Sequence, residues 1–333
     1  MKKRSRIITC LTMVGLLFGS ISVCAEGNLV IYTARSDSEI ELVVPAFEEA
    51  YGVEVELVTG GIGELIKRVE AEGNSPQGDI LLGGTYTSNL SGSNYYESYI
   101  SPEMENLAEE YRREDGLLTT TSIIAVCMIV NDNLAEGIKL EGWEDLLNPE
   151  LKGKIAFADP AASSNAYNLL VNMLYDMGEG DVFSDATWEY VGKFVDQLDG
   201  KILSSSSATP RGVADGEYTV GLTHEVYVAN YIAEGAPVHA QYFSEGTYVA
   251  EDVVAIIKNC ENMDNAKLFV DYLLSYDCQN NYMIGNSTRP SRTDVASPET
   301  LPDVEELNSI GEYAVSSEDK AQILDRFNEL MYQ

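Results

Sequence analysis

One pattern recurs along this chain and restricts its fold more than any other feature. A short apolar segment, residues 29–32, leads through a small polar turn into a helix whose Ser36 and Glu39 have the spacing of a capping box. The same order of strand, turn and helix follows at residues 53–73, and a third strand is predicted at residues 78–84. Strands that alternate with helices in this way predict a parallel sheet covered by helices.

The middle of the chain contains a second set of such units. Apolar strands are predicted at residues 122–131, 154–158 and 219–222, and a helix follows each of the last two. A strand at residues 253–258 and a helix at residues 265–274 precede an acidic tail. Since no low-complexity linker separates the two sets, we expect an α/β fold of two lobes joined by strands, with a cleft between them. Ligands of such sheets bind beyond the carboxyl ends of the strands.

The composition limits the class of protein and its partners. The length of 333 residues predicts about two domains. The hydrophobic fraction of 45% excludes wholesale disorder. Asp and Glu number 54 against 21 Lys and Arg, which gives a formal net charge of -33. Nucleic acids and anionic membranes are bound through basic side chains that displace counterions. The charge therefore excludes both as partners.

Residues 1–25 have the composition of a signal peptide. An apolar run at residues 7–18 follows four basic residues, which are Lys2, Lys3, Arg4 and Arg6. Small residues then lead to Ala25, after which we expect cleavage, and the run is too short to span a bilayer. Lipid modification of Cys24 is the alternative. In both cases the product is exported, to the periplasm or to the outer face of the cell membrane.

Three cysteines follow this segment, namely Cys127, Cys260 and Cys278. An odd number does not form a complete disulfide framework. Cys260 and Cys278 flank a predicted helix, and their pairing in an oxidising compartment is one interpretation. The interpretation we favour is that all three are small buried hydrophobic residues.

Five turns at predicted strand ends consist of small or hydroxyl residues placed directly before a helix. They are residues 33–36, 59–61, 83–85, 162–164 and 204–207. Free N–H groups at a helix start carry partial positive charge, and hydroxyl groups and glycines let an anion approach closely. Helix capping explains each turn alone, but five turns in two facing lobes predict one anion site. Arg35 and Arg211 would be its bidentate partners, with surface ion pairs as the alternative.

Another candidate position follows the strand at residues 219–222. Glu225 has the chemistry to accept hydrogen bonds from ligand hydroxyl groups or an amine, and His224 has the chemistry to bind a metal or cap a helix. The chain has only two histidines, and it lacks a nucleophile elbow, HExxH, CxxC and a phosphate-binding loop. The sequence therefore contains none of these catalytic motifs, and we do not expect an enzyme.

Several segments together resemble the extracytoplasmic solute-binding proteins of ABC importers. The similar segments are residues 32–35, 66–73, 159–167, 213–218, 220–225, 245–247 and 289–295. The most similar branch of that family binds ferric ion, sugar phosphates, aminoethylphosphonate and thiamine. The similarity covers nearly all of the chain after the signal peptide, in order, and it specifies the family much better than the ligand.

The resemblance implies the type II periplasmic-binding-protein-like fold, in which two lobes close on the ligand about hinge strands. We expect residues 26–121 and 252–333 to form the first lobe and residues 122–251 the second. The resemblance implies no catalysis and no cofactor, and it implies an ABC permease and its ATPase as partners. We expect the protein to be a monomer.

The resemblance also implies a ligand class and a set of contacts. Ferric-binding members have a tyrosine pair just after the strand that here ends at Leu222, whereas sugar-phosphate-binding members have a glutamate where Glu225 stands. We therefore predict a small anionic solute, either a phosphorylated sugar or polyol or a phosphonate. The alternative is ferric ion held by Glu225 and Tyr227, followed by thiamine or a polyamine. The predicted ligand contacts are Arg35, Ser36, Thr59, Gly60, Gly84, Thr85, Ser163, Ser164, Ser206 and Glu225.

Overall fold

The computed structural model describes residues 27–311 and 315–332. The predicted signal peptide and Cys24 lie outside the described residues. The strands are β1 (Gly27–Thr33), β2 (Val53–Thr59), β3 (Ile80–Thr85), β4 (Tyr96–Glu97), β5 (Thr119–Asn131), β6 (Ile155–Ala156), β7 (Val220–His224), β8 (Val238–Gln241), β9 (Thr247–Ile257), β10 (Arg289–Pro290) and β11 (Ser309–Gly311).

The helices are α1 (Asp37–Tyr51), α2 (Ile62–Glu72), α3 (Tyr86–Asn89), α4 (Ser164–Met177), α5 (Asp185–Leu198), α6 (Ala208–Ala214), α7 (Glu225–Ala233), α8 (Met263–Leu274), α9 (Tyr276–Asn286) and α10 (Ser317–Met331). Helices alternate with strands through β3, as the sequence predicts, whereas α4 and α5, and likewise α8 and α9, follow one another directly. Within the described residues, no helix combines the length and the hydrophobicity needed to cross a membrane.

The predicted start of α1 is confirmed in detail. The Ser36 backbone N–H donates to the Glu39 carboxylate at 3.0 Å, so the capping box is formed. The helix buries Val43 and Phe47, and it ends at Gly52, which has a left-handed φ of 70°. Glycine adopts this conformation without a steric penalty.

The strands form one curled sheet whose main path has the order β2-β1-β3-β9-β5-β7-β6. β1 pairs in parallel with β2 and with β3, and β6 pairs in parallel with β7. The central contacts of β3 with β9, of β9 with β5, and of β5 with β7 are antiparallel. Two parallel segments are therefore joined through a pair of long antiparallel strands.

Two separate hydrophobic cores define the two lobes. The first-lobe core contains Phe47 of α1 and Phe269 of α8, and the second-lobe core contains Leu170 of α4 and Phe194 of α5. β9 contributes to both cores, and β5 pairs with β9 along its first part and with β7 along its second part. We call β5 and β9 the crossing strands.

The C-terminal helix differs from the sequence expectation, which placed all of residues 252–333 in the first lobe. Ile323 and Phe327 of α10 are buried in the second-lobe core, next to Phe157. Phe157 and Phe327 meet edge to face with ring centroids 6.1 Å apart. The chain thus returns to the second lobe after it has completed the first.

The three cysteines after the signal peptide are buried and carry free thiols. Cys127 lies on β5, Cys260 lies in the turn after β9, and Cys278 lies on α9. This agrees with the interpretation of the three as small buried hydrophobic residues.

Candidate functional site

In the first lobe, strand register brings three of the predicted turns to one edge of the sheet. Thr33 at the end of β1 is paired with Thr59 of β2 and with Leu82 of β3. The Gly60 backbone N–H donates to the Thr33 carbonyl oxygen at 3.1 Å. The turns after β1 and β2 and the last residues of β3 therefore lie side by side.

The third of these turns requires glycine. Gly83 and Gly84 have φ values of 100° and 77°, a region that side chains rarely adopt. A Cβ atom on Gly84 would lie 2.5 Å from Ile62 Cγ1 at the start of α2. The absence of a side chain therefore lets the end of β3 pack against the helix that follows β2.

The second lobe repeats this arrangement. β6 runs parallel to β7, and Ala158 forms a parallel bridge with Leu203. The Asp159 backbone N–H donates to the Leu203 carbonyl oxygen at 2.8 Å. The turns that precede α4, α6 and α7 thus share one edge of the sheet.

The second lobe approaches the first where α7 meets the end of α9. Asn230 Nδ2 of α7 donates to Asn286 Oδ1 at the end of α9, at 3.4 Å. Burial lowers the pKa of His224 to about 4, although the Glu39 carboxylate of the opposite lobe acts to raise it. The imidazole of His224 is therefore neutral at neutral pH.

Arg35 was predicted to contact an anion, and its guanidinium is engaged by protein groups. The side chain is 6% exposed. One Nη2–Oδ2 distance of 2.7 Å joins it to Asp252 of β9, and hydrogen bonds join it to Thr121 and Tyr282. Its charge is therefore neutralised inside the first lobe and the crossing strands.

Glu225 was predicted to accept hydrogen bonds from a ligand, and both of its carboxylate oxygens have protein partners. Arg289 of β10 donates from Nε at 3.0 Å and from Nη2 at 2.9 Å, and the Tyr242 hydroxyl donates at 2.6 Å. Glu225 is 2% exposed. Burial raises the pKa of Tyr227, its partner in the ferric alternative, and the nearby Asn165 of α4 acts against this rise.

The other predicted contacts line the two edges with differing exposure. Ser36, Thr59 and Ser164 are exposed. Gly60, Gly84, Thr85 and Ser206 are half-buried. Ser163 is buried and caps α4, because its Oγ accepts the Ala166 backbone N–H at 3.2 Å. Arg211, on α6, is exposed.

Sequence reasoning missed the residues that pair with or hydrogen-bond to Arg35 and Glu225. These are Asp252, Tyr282, Arg289 and Tyr242. They lie on β9, α9, β10 and the segment after β8, far from their partners in sequence. Arg289 belongs to a segment that carried the family resemblance, and an arginine in so acidic a chain was the one available signal.

The donors left at the cleft are backbone N–H groups and hydroxyl groups. The starts of α1, α4 and α7 lie at these edges, and the first turn of a helix carries partial positive charge. Among residues 27–311 and 315–332, no three His, Cys, Asp or Glu side chains are close enough to hold a metal ion. The arrangement is suited to a small anion held by amides and hydroxyls.

Comparison with known proteins identifies the family of this chain. Residues 43–308 match the family described as bacterial extracellular solute-binding protein. A probable ABC transporter periplasmic-binding protein of Sinorhizobium fredii is 27% identical over 242 residues, which are 69% of this chain and 64% of that protein. Iron uptake protein A1 of Synechocystis is 23% identical, covering 77% of this chain and 75% of that protein.

A solved structure shares the whole fold. The periplasmic binding protein AfuA of Actinobacillus pleuropneumoniae, with fructose-6-phosphate bound, superposes with a TM-score of 0.77. The two chains are 26% identical, and the match covers 92% of this chain and 99% of that one. The two-lobed fold expected from the sequence is thereby confirmed.

Proposed function

Because this chain belongs to the family of bacterial extracellular solute-binding proteins, we propose that it captures a small anionic solute, either a phosphorylated sugar or polyol or a phosphonate, between its two lobes. Members of the family are transport proteins and not enzymes. They work in the periplasm or outside the cell and deliver a small molecule to an ABC permease.

One observation carries the choice of an anion. In each lobe the helix starts lie side by side at one edge of the sheet, while the buried arginines Arg35 and Arg289 are paired with Asp252 and Glu225. Amides and hydroxyls at these helix starts then supply the attraction for an anion, and they do so with fixed geometry. The fructose-6-phosphate bound to AfuA supports a phosphorylated ligand.

We propose that the exposed and half-buried members of the predicted set touch the ligand. In the first lobe these are Ser36, Thr59, Gly60, Gly84 and Thr85. In the second lobe they are Ser164 and Ser206, with the amides at the starts of α4 and α7, and the buried Ser163 is retained in the set as the residue that caps α4. In this proposal the buried side chains of Arg35 and Glu225 do not touch the ligand. They position the residues that do.

The test is a binding screen on the purified protein. Fructose 6-phosphate, glycerol 3-phosphate, 2-aminoethylphosphonate and inorganic phosphate are compared by thermal shift and calorimetry. A ligand at a hundred times its Kd stabilises the folded state by about 2.7 kcal/mol. Failure of every phosphorylated and phosphonate compound to stabilise the protein would reject the proposal.

The position of the binding site is tested by placing a negative charge at the proposed cleft and, in a matched control, the same charge at another helix start. Ser164→Asp puts a carboxylate at the first position of α4, where it favours the helix but repels an anion. We expect affinity to fall by at least about tenfold. Ser316→Asp places the same charge before α10, away from the cleft, and leaves affinity unchanged. Equal effects of the two would argue against a site at α4.

Ferric ion is the second candidate, and the similarity to iron uptake protein A1 favours it. Tyr227 and Glu225 supply hard oxygen donors one helical half-turn apart, but the Glu225 oxygens would first have to leave Arg289 and Tyr242. Ferric citrate should then give a visible tyrosinate band that Tyr227→Phe abolishes. A colourless protein without iron by metal analysis removes this candidate.

Further proposals concern assembly and anchoring. We propose that the ATPase subunit acts through the permease, that the exported protein is a monomer, and that cleavage after Ala25 is the main processing, with lipid attachment at Cys24 as the alternative. Intact mass measurement of protein from the cell envelope separates cleavage from lipid attachment, and sedimentation of the same sample gives the oligomeric state.

A further inference from the structure

The crossing strands lose their regular pairing where the two lobes join. In the pairing of β5 with β9, Thr120 lies opposite Val253 and Ser122 lies opposite Asp252, so Thr121 is an extra residue. The pairing of β3 with β9 also shifts between Leu82 and Thr85. A bulge leaves ladder hydrogen bonds unmade and bends the strand. The connection between the lobes should therefore bend most easily at this bulge.

Thr121 is held by side chains from outside the ladder. Its hydroxyl donates to the Asp252 carbonyl oxygen at 3.0 Å, and its own carbonyl oxygen accepts Gln279 Nε2 of α9 at 2.7 Å. Arg35 donates to the same hydroxyl from Nη2. The bulge is thus tied to α9 of the first lobe and to the turn after β1.

Arg35 is the side chain that makes this tie. Its Nη2 lies 2.7 Å from Asp252 Oδ2 on β9, and its Nη1 donates to the Tyr282 hydroxyl on α9. The planar fork of an arginine fixes two directions at once. Arg35 also directly precedes Ser36, a proposed ligand contact. One buried side chain therefore connects a turn of the binding site with both crossing strands.

We propose that Arg35 is a positioning residue that sets the angle between the lobes by fixing the bulge at Thr121. Asp252 neutralises its charge, so it acts through geometry and not as the partner of the bound anion. The inference rests on the two-lobed capture of the proposed function, and it is independent of the identity of the solute.

The test measures the distance between the lobes in protein without ligand. Spin labels are attached at Glu56→Cys on β2 and at Glu189→Cys on α5, both exposed positions; Cys127, Cys260 and Cys278 are buried. Pulsed electron spin resonance then gives the distribution of distances. Arg35→Gln and Asp252→Asn should each broaden this distribution and shift its mean.

The pair is tested by combining the two changes. Since both act through one contact, the double variant should broaden the distribution no more than either single variant. Arg68→Gln, which removes an exposed ion pair with Glu72 on α2, is the matched control and should leave the distribution unchanged. Circular dichroism shows whether each variant is folded.

Two results overturn the inference. One is a folded Arg35→Gln protein with an unchanged distribution, and the other is a broadened distribution in Arg35→Gln but not in Asp252→Asn. Should Arg35→Gln fail to fold, Tyr282→Phe removes one hydroxyl and keeps the ion pair. A distance distribution that is broader than that of the wild type but narrower than that of Asp252→Asn then supports the inference. A distribution equal to that of the wild type overturns it. Because no ligand is added, the outcome is separate from that of the binding screen.

Discussion

At the scale of single residues, the buried arginines Arg35 and Arg289 are paired with carboxylates, whereas Asp176 is a half-buried carboxylate that accepts hydrogen bonds from neutral donors. Its Oδ2 accepts Trp143 Nε1 and Asn172 Nδ2, both at 2.7 Å. Burial raises the pKa of Asp176 to about 7, and the Glu245 carboxylate adds to the rise, against the two hydrogen bonds. The group therefore gains or loses its proton near neutral pH.

The free energy of unfolding should depend on this proton. The ordinary pKa of the carboxyl is 3.8, so the folded state holds the proton more tightly than the unfolded state. Its contribution to stability is complete below about pH 4 and is lost as the pH rises through about 7. Asp176→Asn should flatten urea-derived stability between about pH 5 and about pH 8. Asp196→Asn, at an exposed position of α5, is the control, and an equal pH slope in wild type and Asp176→Asn would contradict the assignment.

A glycine at the binding edge gives a second prediction at this scale. Gly84→Ala would place a Cβ atom 2.5 Å from Ile62 Cγ1 at a φ of 77°, and strain of this kind costs about 1–3 kcal/mol. Gly63→Ala, nearby in α2, meets no atom within 4 Å and should stabilise the helix. Denaturant unfolding of both variants checks the difference. An unchanged free energy of unfolding in Gly84→Ala would contradict this prediction, because it would mean that the turn accommodates the Cβ atom without strain.

At the scale of elements, the first strands and helices were predictable because their buried residues follow a regular period. Val43 and Phe47 on α1 and Leu65 and Val69 on α2 lie one turn apart and are buried. The sequence analysis missed α9, whose buried residues are Cys278, Gln279 and Tyr282. A helix that buries a polar face has no hydrophobic period to detect.

The candidate site was predictable only in part, for a related reason. Turns are local, so the five strand-end turns were visible in the sequence, and each stands at a helix start. Pairing of buried charges is not local. Tyr282 is 247 positions from Arg35, and Arg289 is 64 positions from Glu225. Composition and spacing contain no information about which of these groups meet.

The C-terminal helix supplies the prediction at the scale of elements. Phe327 is 1% exposed and anchors α10 in the second-lobe core. Phe327→Ala should lower the free energy of unfolding by about 3–5 kcal/mol. Glu329→Ala, on an exposed position of the same helix, should change it by less than about 0.5 kcal/mol. Similar effects of the two in chemical denaturation would show that α10 contributes little to the core.

At the scale of the whole molecule, the lobes are joined by a buried ion pair as well as by the crossing strands. Arg289 follows α9 of the first lobe, and Glu225 begins α7 of the second. Both side chains are at most 3% exposed. A buried pair of this kind resists separation, because either partner alone would remain charged in a region of low polarity.

Replacing one partner of this ion pair should therefore lower the free energy of unfolding more than replacing both partners. Arg289→Met leaves the Glu225 carboxylate unpaired and should lower the free energy of unfolding by about 3–5 kcal/mol. The double variant Arg289→Met with Glu225→Gln should recover part of this loss. Urea unfolding of wild type, both single variants and the double variant measures the coupling. Additive losses would indicate that the two groups act independently.

The strand order has a consequence for the sequence of events in export. The sheet of the first lobe includes β9, and α8 and α9 complete its core, so the part of the chain made first waits for segments made late. Contacts so distant along a chain form slowly. A polypeptide that passes through a translocation channel amino end first thus cannot complete its first lobe until most of the chain has passed. It remains unfolded during most of the passage, and a narrow channel admits only an unfolded chain.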